Sequence, residues 1–138
     1  MKEMFDKVVS VFTGDGKKRD PRKKLGEKGE KAAAKYYKRQ GFVILDRNYT
    51  CRLGELDLVV RKGDLLVFCE VKTLRSKSLG VPEMAVNASK QRRIVRLAKY
   101  YIKLKKLESL QARFDVVSVS WEEGGRPEVK HIPAAFTE

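Results

Sequence analysis

The stretch from Gly54 to Thr73, GELDLVVRKGDLLVFCEVKT, limits the fold more than any other part of the chain. Two apolar runs, Leu56–Val60 and Leu65–Val71, flank the polar turn Arg61-Lys62-Gly63-Asp64. Glycine accepts the positive φ of a tight turn, so the stretch predicts a β-hairpin. Charge is embedded in it. Asp57 interrupts the first strand, while Glu70 and Lys72 lie within and at the end of the second. Side chains alternate along a strand, which puts Glu70 and Lys72 on one face and Cys69 and Val71 on the other. Antiparallel pairing around the turn sets Asp57 at a height near Glu70 or Lys72.

Two carboxylates at one point repel unless a cation or a proton lies between them. A hard divalent cation, Mg²⁺ or Mn²⁺, takes oxygen ligands and keeps several waters. Asp57, Glu70 and the backbone carbonyl of Val71 are the candidate ligands, leaving Lys72 to act on a water or a phosphate. This is the layout of a metal-dependent phosphodiesterase site. The plainer reading is a solvated hairpin face with a cross-strand ion pair. The hairpin alone leaves both open.

At 138 residues the chain has the length of one domain with one ordinary core. No apolar stretch is long enough to span a bilayer. The start, MKEMFDKVVSVF, mixes acids and bases among its apolar residues, so no secretory signal is expected. Cys51 and Cys69 do not make a zinc spacing or a disulfide framework, and Cys69, in the most apolar strand, is expected to be a buried thiol. A cytoplasmic location is the expectation. The net charge of +13 favours a polyanionic partner, nucleic acid before an anionic membrane.

Met1–Phe12 has helical spacing, and its readings as a short amphipathic helix and as a terminal extension stay level. Thr13–Lys24, TGDGKKRDPRKK, is expected to be a basic linker or arm. The predicted organisation is therefore an extension over residues 1–24 and an α/β domain over 25–138. A helix is predicted from Leu25 to Gln40, closed by Gly41. Ala33, Ala34 and Tyr37 follow Glu30 at helical intervals, which points Glu30 along the sheet-facing side, where a carboxylate needs a cation.

Phe42–Thr50 predicts a strand with Phe42–Leu45 buried, and Arg47 and Arg52 just before the hairpin are candidate phosphate contacts. Leu74–Pro82 is expected to be a polar loop. A long helix is predicted from Glu83 to about Leu107, with Val86, Ile94, Leu97 and Tyr101 on its buried stripe. Its exterior carries Arg92, Arg93 and Arg96, candidates for nucleic-acid binding. Lys90 falls on the buried stripe, where it could snorkel to water or face an acidic cluster; the helix alone favours snorkelling. Arg113–Trp121 predicts a strand, Glu122–Pro127 a turn, and Glu128–Ile132 the return strand. His131, the one histidine, has no acidic pair near it in sequence and is expected to be structural. The order of elements predicts a mixed sheet flanked by helices.

Taken together, GEKGEKAA, RNYTCRLGELDLV, LLVFCEVKTLRS, AVNASK and RFDVV resemble the YraN-like family of small bacterial proteins, over about Gly26 to Phe136. The resemblance implies the restriction-endonuclease-like fold shared by Holliday-junction resolvases and other PD-(D/E)xK nucleases. It implies that Glu30 is the acid of the first core helix and Asp57 the acid of the second strand. It further implies that Glu70, Val71 and Lys72 are the (D/E)xK triplet and Lys90 the lysine of the following helix. Leu56 stands where the proline of "PD" would be.

The first functional expectation is thus a Mg²⁺- or Mn²⁺-dependent endonuclease acting on DNA, branched or structured DNA included, with RNA left open. Asp57, Glu70 and Val71 would hold metal, Lys72 would serve the attacking water, and Glu30 would hold a second metal or a bound water. The second is a nucleic-acid-binding protein with the same fold and little turnover. The third is a basic adaptor. Two coordinated cuts would call for two sites, hence a twofold homodimer.

Overall fold

The computed structural model describes residues 20–74, 86–121 and 125–138. Helix α1 (Pro21–Arg39) starts where Asp20 accepts a hydrogen bond from the Arg22 N–H at 2.9 Å. Pro21 takes a first-turn position, where its missing N–H costs nothing. The helix therefore takes in Pro21–Lys24, which the basic run alone places in the linker. It ends at Gln40, and Gly41 follows with φ of +91°, as expected after a helix.

Strands β1 (Val43–Cys51), β2 (Gly54–Lys62) and β3 (Leu65–Leu74) follow, then α2 (Ala88–Lys105), β4 (Gln111–Trp121) and β5 (Pro127–Phe136). They form one five-stranded sheet in the order β1-β2-β3-β4-β5. Only β3 and β4 run parallel. Parallel neighbours need a crossover, and α2 lies on it. The fold is the expected α/β arrangement of a mixed sheet with helices.

Each helix covers one face. Ala33, Ala34 and Tyr37 of α1 pack with Leu58, Val60, Val67, Cys69, Val117 and Val119. Ile94, Leu97, Ala98 and Tyr101 of α2 pack with Tyr49, Leu56, Leu66, Phe68, Phe114 and Val116. Strand β3 is buried on both faces, as its near-continuous apolar run requires. Gly29 of α1 is part of the same packing: a Cβ there would collide with the Thr73 side chain on β3.

The hairpin turn is Gly63-Asp64, with Gly63 at φ +57° and Lys62 paired to Leu65. Strand β2 is irregular at one point. Residues two apart on a strand share a face, yet Leu56 packs under α2 and Leu58 under α1. The alternation slips at Asp57.

Several boundaries differ from expectation. Strand β1 is a sheet edge, so Phe42–Leu45 is not a buried run: Phe42 is buried but Val43 is 62% exposed. Helix α2 begins at Ala88 because Asn87 caps it, accepting from the Lys90 N–H at 2.8 Å. Val86 precedes the cap and packs on the core from outside the helix. The helix stops at Lys105, where Lys106 turns left-handed at φ +58°. Strand β5 runs on to Phe136. The expectations for Met1–Phe12, most of the linker, the Leu74–Pro82 loop beyond Leu74, residues 83–85 and residues 122–124 of the Glu122–Pro127 turn lie outside the described residues.

His131 belongs to a buried network that ties α1, β4 and β5 together. The fully buried Asp115 carboxylate accepts from Tyr37 Oη (2.8 Å), from Arg113 Nε and Nη2 (2.8 Å each), and from the Ala134 N–H (3.0 Å). His131 Nε2 lies 2.7 Å from the same carboxylate, and its Nδ1 2.9 Å from Tyr36 Oη. Both cysteines are free thiols, Cys69 buried.

Candidate metal and phosphate site

Asp57 is the hub of the site. The β2–β3 ladder runs to Leu58–Cys69, so Asp57 follows opposite Glu70. At the slip in β2 its carboxylate turns into the sheet and accepts from the Val71 N–H at 2.9 Å. A carboxylate thus takes the place of a strand hydrogen bond, as a buried N–H must have a partner. Burial first, and the neighbouring Glu70 carboxylate second, push the Asp57 carboxyl up to about 8, with the Val71 N–H opposing. Glu30 adds to the same repulsion.

The other acids approach Asp57 from the two faces of the sheet. Glu70, 9% exposed, meets the ammonium of Lys90 on α2. Lys90 therefore does not snorkel away: it is half-buried because it neutralises a buried acid. Glu30, on α1, is half-buried, and burial pushes its carboxyl above the usual range. The Asn48 side chain opposes this by donating to Glu30 Oε1 at 2.8 Å. Asn48 has a left-handed backbone, φ +53°, directly across from the slip in β2. Asparagine tolerates that conformation better than most residues. Sequence reading missed this residue; its only signal was an asparagine inside a strand pattern.

A cavity of about 500 Å³ opens on the α1 side of the site, lined by Glu30, Asp57, Val71 and Thr73, with Arg22 and Gly26 at the α1 end. Lys72 lies on the Glu70 face of β3 and has no ion-pair partner among the described residues. Arg47 is exposed on β1 and lies within electrostatic reach of Glu30. Arg52 is exposed on the β1–β2 turn, and Arg92, Arg93 and Arg96 are exposed on α2. The structure therefore gathers Asp57, Glu70, Val71, Glu30 and Lys90, with Arg47 nearby. The other four arginines lie outside this cluster.

The donor set suits a hard cation. Among the described residues no three His, Cys, Asp or Glu side chains form a metal cage. Mg²⁺ does not need one, since one or two carboxylates and retained waters suffice. The raised Asp57 carboxyl beside the buried acid Glu70 is the electrostatic mark of a site that a cation relieves.

Fold and site define an α/β protein with a mixed sheet whose central hairpin sets half-buried Asp57 beside buried Glu70, with Lys90 of α2 paired to Glu70. The chain belongs to a family of such proteins, the uncharacterised protein family UPF0102, whose model matches residues 29–119. It is 50% identical over 112 residues to the UPF0102 protein of Syntrophotalea carbinolica, covering 81% of this chain and 90% of that one. It is 47% identical over 102 residues to that of Syntrophus aciditrophicus, covering 74% and 80%. The UPF0102 protein of Geotalea daltonii is 42% identical over 123 residues, covering 89% and 95%. No described helix is long and apolar enough to cross a membrane.

Proposed function

We propose that this protein is a divalent-metal-dependent endonuclease that hydrolyses DNA phosphodiester bonds. The observation that carries the reading is the pairing of half-buried Asp57 with buried Glu70 on adjacent strands, with Lys90 against Glu70 and Lys72 on the same face of β3. Among the described residues Lys90 pairs with Glu70, while Asp57, repelled by Glu70, makes no ion pair.

Asp57, Glu70 and the Val71 carbonyl would hold Mg²⁺ or Mn²⁺. A cation bound there supplies Lewis acidity toward a phosphate oxygen and makes water a stronger nucleophile near neutral pH. The remaining work falls to the chain. Lys72, extending from the Glu70 face, donates to the attacking water and offsets charge building on the phosphate. Lys90 holds Glu70 in place and balances its charge. Asn48 fixes Glu30, which accepts a hydrogen bond from water at the cavity wall. Arg47, Arg52 and the α2 arginines supply phosphate contacts that do not depend on sequence.

The test is a cleavage screen over single-stranded, duplex, nicked and branched DNA with Mg²⁺ or Mn²⁺, using wild type, Glu70→Gln and Lys72→Ala. Metal-dependent cutting of at least one substrate, lost in both variants, is expected. DNA binding without cutting in wild type would favour the second reading, a nuclease fold with little turnover. Cutting that survives Glu70→Gln would place the chemistry elsewhere.

A further inference from the structure

The outer face of α2 combines cations with exposed apolar groups that its packing does not use. Tyr100 is 43% exposed and Leu104 52% exposed, one turn apart. Arg93, Arg96 and Lys103 are exposed at helical spacing around them. The β1–β2 turn extends this surface. A Cβ at Gly54 would lie 3.2 Å from Leu97 Cδ1 and 3.6 Å from Arg93 Cδ, so the turn presses on α2. Leu53, at the tip of that turn, is 42% exposed.

Buried apolar groups are ordinary; three large ones exposed among cations invite a partner with both flat apolar faces and negative charge. A second copy of this surface does not qualify. Helix α2 has no acidic residue along its length, so two such helices face to face would set cation against cation. Nucleic acid qualifies, because phosphates meet the cations and base faces meet the ring. A duplex hides its base faces in the stack, leaving only its backbone for Arg93 and Arg96. Unpaired bases expose theirs.

We infer that Tyr100, set among Arg93, Arg96 and Lys103, is a stacking platform for unpaired bases of single-stranded DNA. The inference rests on the DNA reading above and narrows it to substrates with a single-stranded portion. Lys90, which meets Glu70, and Tyr100 lie on one helix, roughly 15 Å apart along its axis at the usual rise. A strand whose phosphate lies at Asp57 and Glu70 can thus set a base on Tyr100 a few nucleotides away.

The experiment is fluorescence anisotropy in EDTA, where no cleavage intrudes, with a labelled single strand of mixed sequence and its duplex. Wild type is compared with Tyr100→Ala, Tyr100→Leu and Tyr100→Phe. Position 100 is exposed and helical, so all three variants are expected to fold; circular dichroism checks this. Stacking of one base predicts about tenfold weaker single-strand binding for the Ala and Leu variants. Duplex binding should change less than about twofold, and Phe should match wild type, since the ring and not the hydroxyl stacks. Single-strand affinity unchanged in the Leu variant, or equal losses for both DNA forms, overturns the inference while leaving the DNA reading intact. Wild type that binds neither form overturns the DNA reading and this inference with it.

Discussion

Asp115→Asn should be the most damaging conservative substitution outside the candidate site. The carboxylate is fully buried and accepts four hydrogen bonds from three residues, with His131 as a fourth neighbour at hydrogen-bond distance. The amide keeps the shape but removes the charge and turns one acceptor into a donor. That donor must face Arg113, Tyr37 or His131. Removing one partner of a buried ion pair typically costs about 3–5 kcal/mol. Arg113 is 28% exposed and can turn partly to water, so the lower half of that range is expected. For a domain of this size such a loss lowers Tm by roughly 10–15 °C.

The pH dependence gives a second handle on the same residue. Burial pushes the Asp115 carboxyl up, but the hydrogen bonds from His131, Arg113, the Ala134 N–H and Tyr37 outweigh it and hold the group well below the ordinary carboxylate range. A depressed folded-state pKa gives stability that is present above the unfolded value, about 4, and is lost as pH falls below it. Wild type and variant should therefore differ most at pH 5 and above, and the gap should narrow toward pH 3. Urea denaturation across that range is the assay. A loss under about 1 kcal/mol, the scale of an exposed ion pair, or a gap that does not change with pH, would refute the view of Asp115 as a charged anchor.

Three further outcomes are expected. Gly29→Ala should lower stability by about 1–2 kcal/mol in chemical denaturation, because overpacking against Thr73 outweighs the helix-propensity gain of about 1 kcal/mol; a stabilised variant would show that α1 can move off β3 freely. Lys90→Ala leaves Glu70 without its cation, so the metal-free variant should melt lower than wild type and gain more from Mn²⁺; unchanged melting would mean the pair contributes nothing. DNA affinity should fall steeply as salt rises, by about one counterion released per phosphate neutralised, and affinity flat from low to moderate salt would argue against phosphate-led binding.

Much of this architecture is legible in the chain because short-range patterns carry it. The two apolar runs and Gly63 specify the hairpin, and strand alternation alone separates Glu70 from Cys69 and Val71. Helical spacing alone turns Glu30 toward the sheet. What escapes the sequence is set by partners far along the chain. His131 has no acid beside it, since Asp115 reaches it from the neighbouring strand and Tyr36 and Tyr37 from α1. Lys90 gives the pattern of a snorkelling lysine until Glu70 is brought opposite it. The slip at Asp57 and the left-handed Asn48 are a paired distortion across two strands, which neither strand announces alone. The start of α1 is a different case: Asp20-Pro21 is a local cap signal, obscured by the surrounding basic run.

The measurement that bears most directly on the central reading is thermal melting with and without Mn²⁺, for wild type, Asp57→Asn and Glu70→Gln. If Asp57 and Glu70 form a metal site, Mn²⁺ raises the melting temperature of wild type by mass action on the native state, about 2.7 kcal/mol at a hundredfold excess over Kd. Neither acid variant should show that rise. The raised Asp57 carboxyl also fixes the metal-free result at pH 8. A raised folded-state pKa means that stability falls as pH climbs from the unfolded value, about 4, toward about 8. Asparagine, which cannot ionise, should then melt at or above wild type. A wild type indifferent to Mn²⁺, with both acid variants melting slightly lower, would contradict the account and reduce the hairpin acids to ordinary ion pairs.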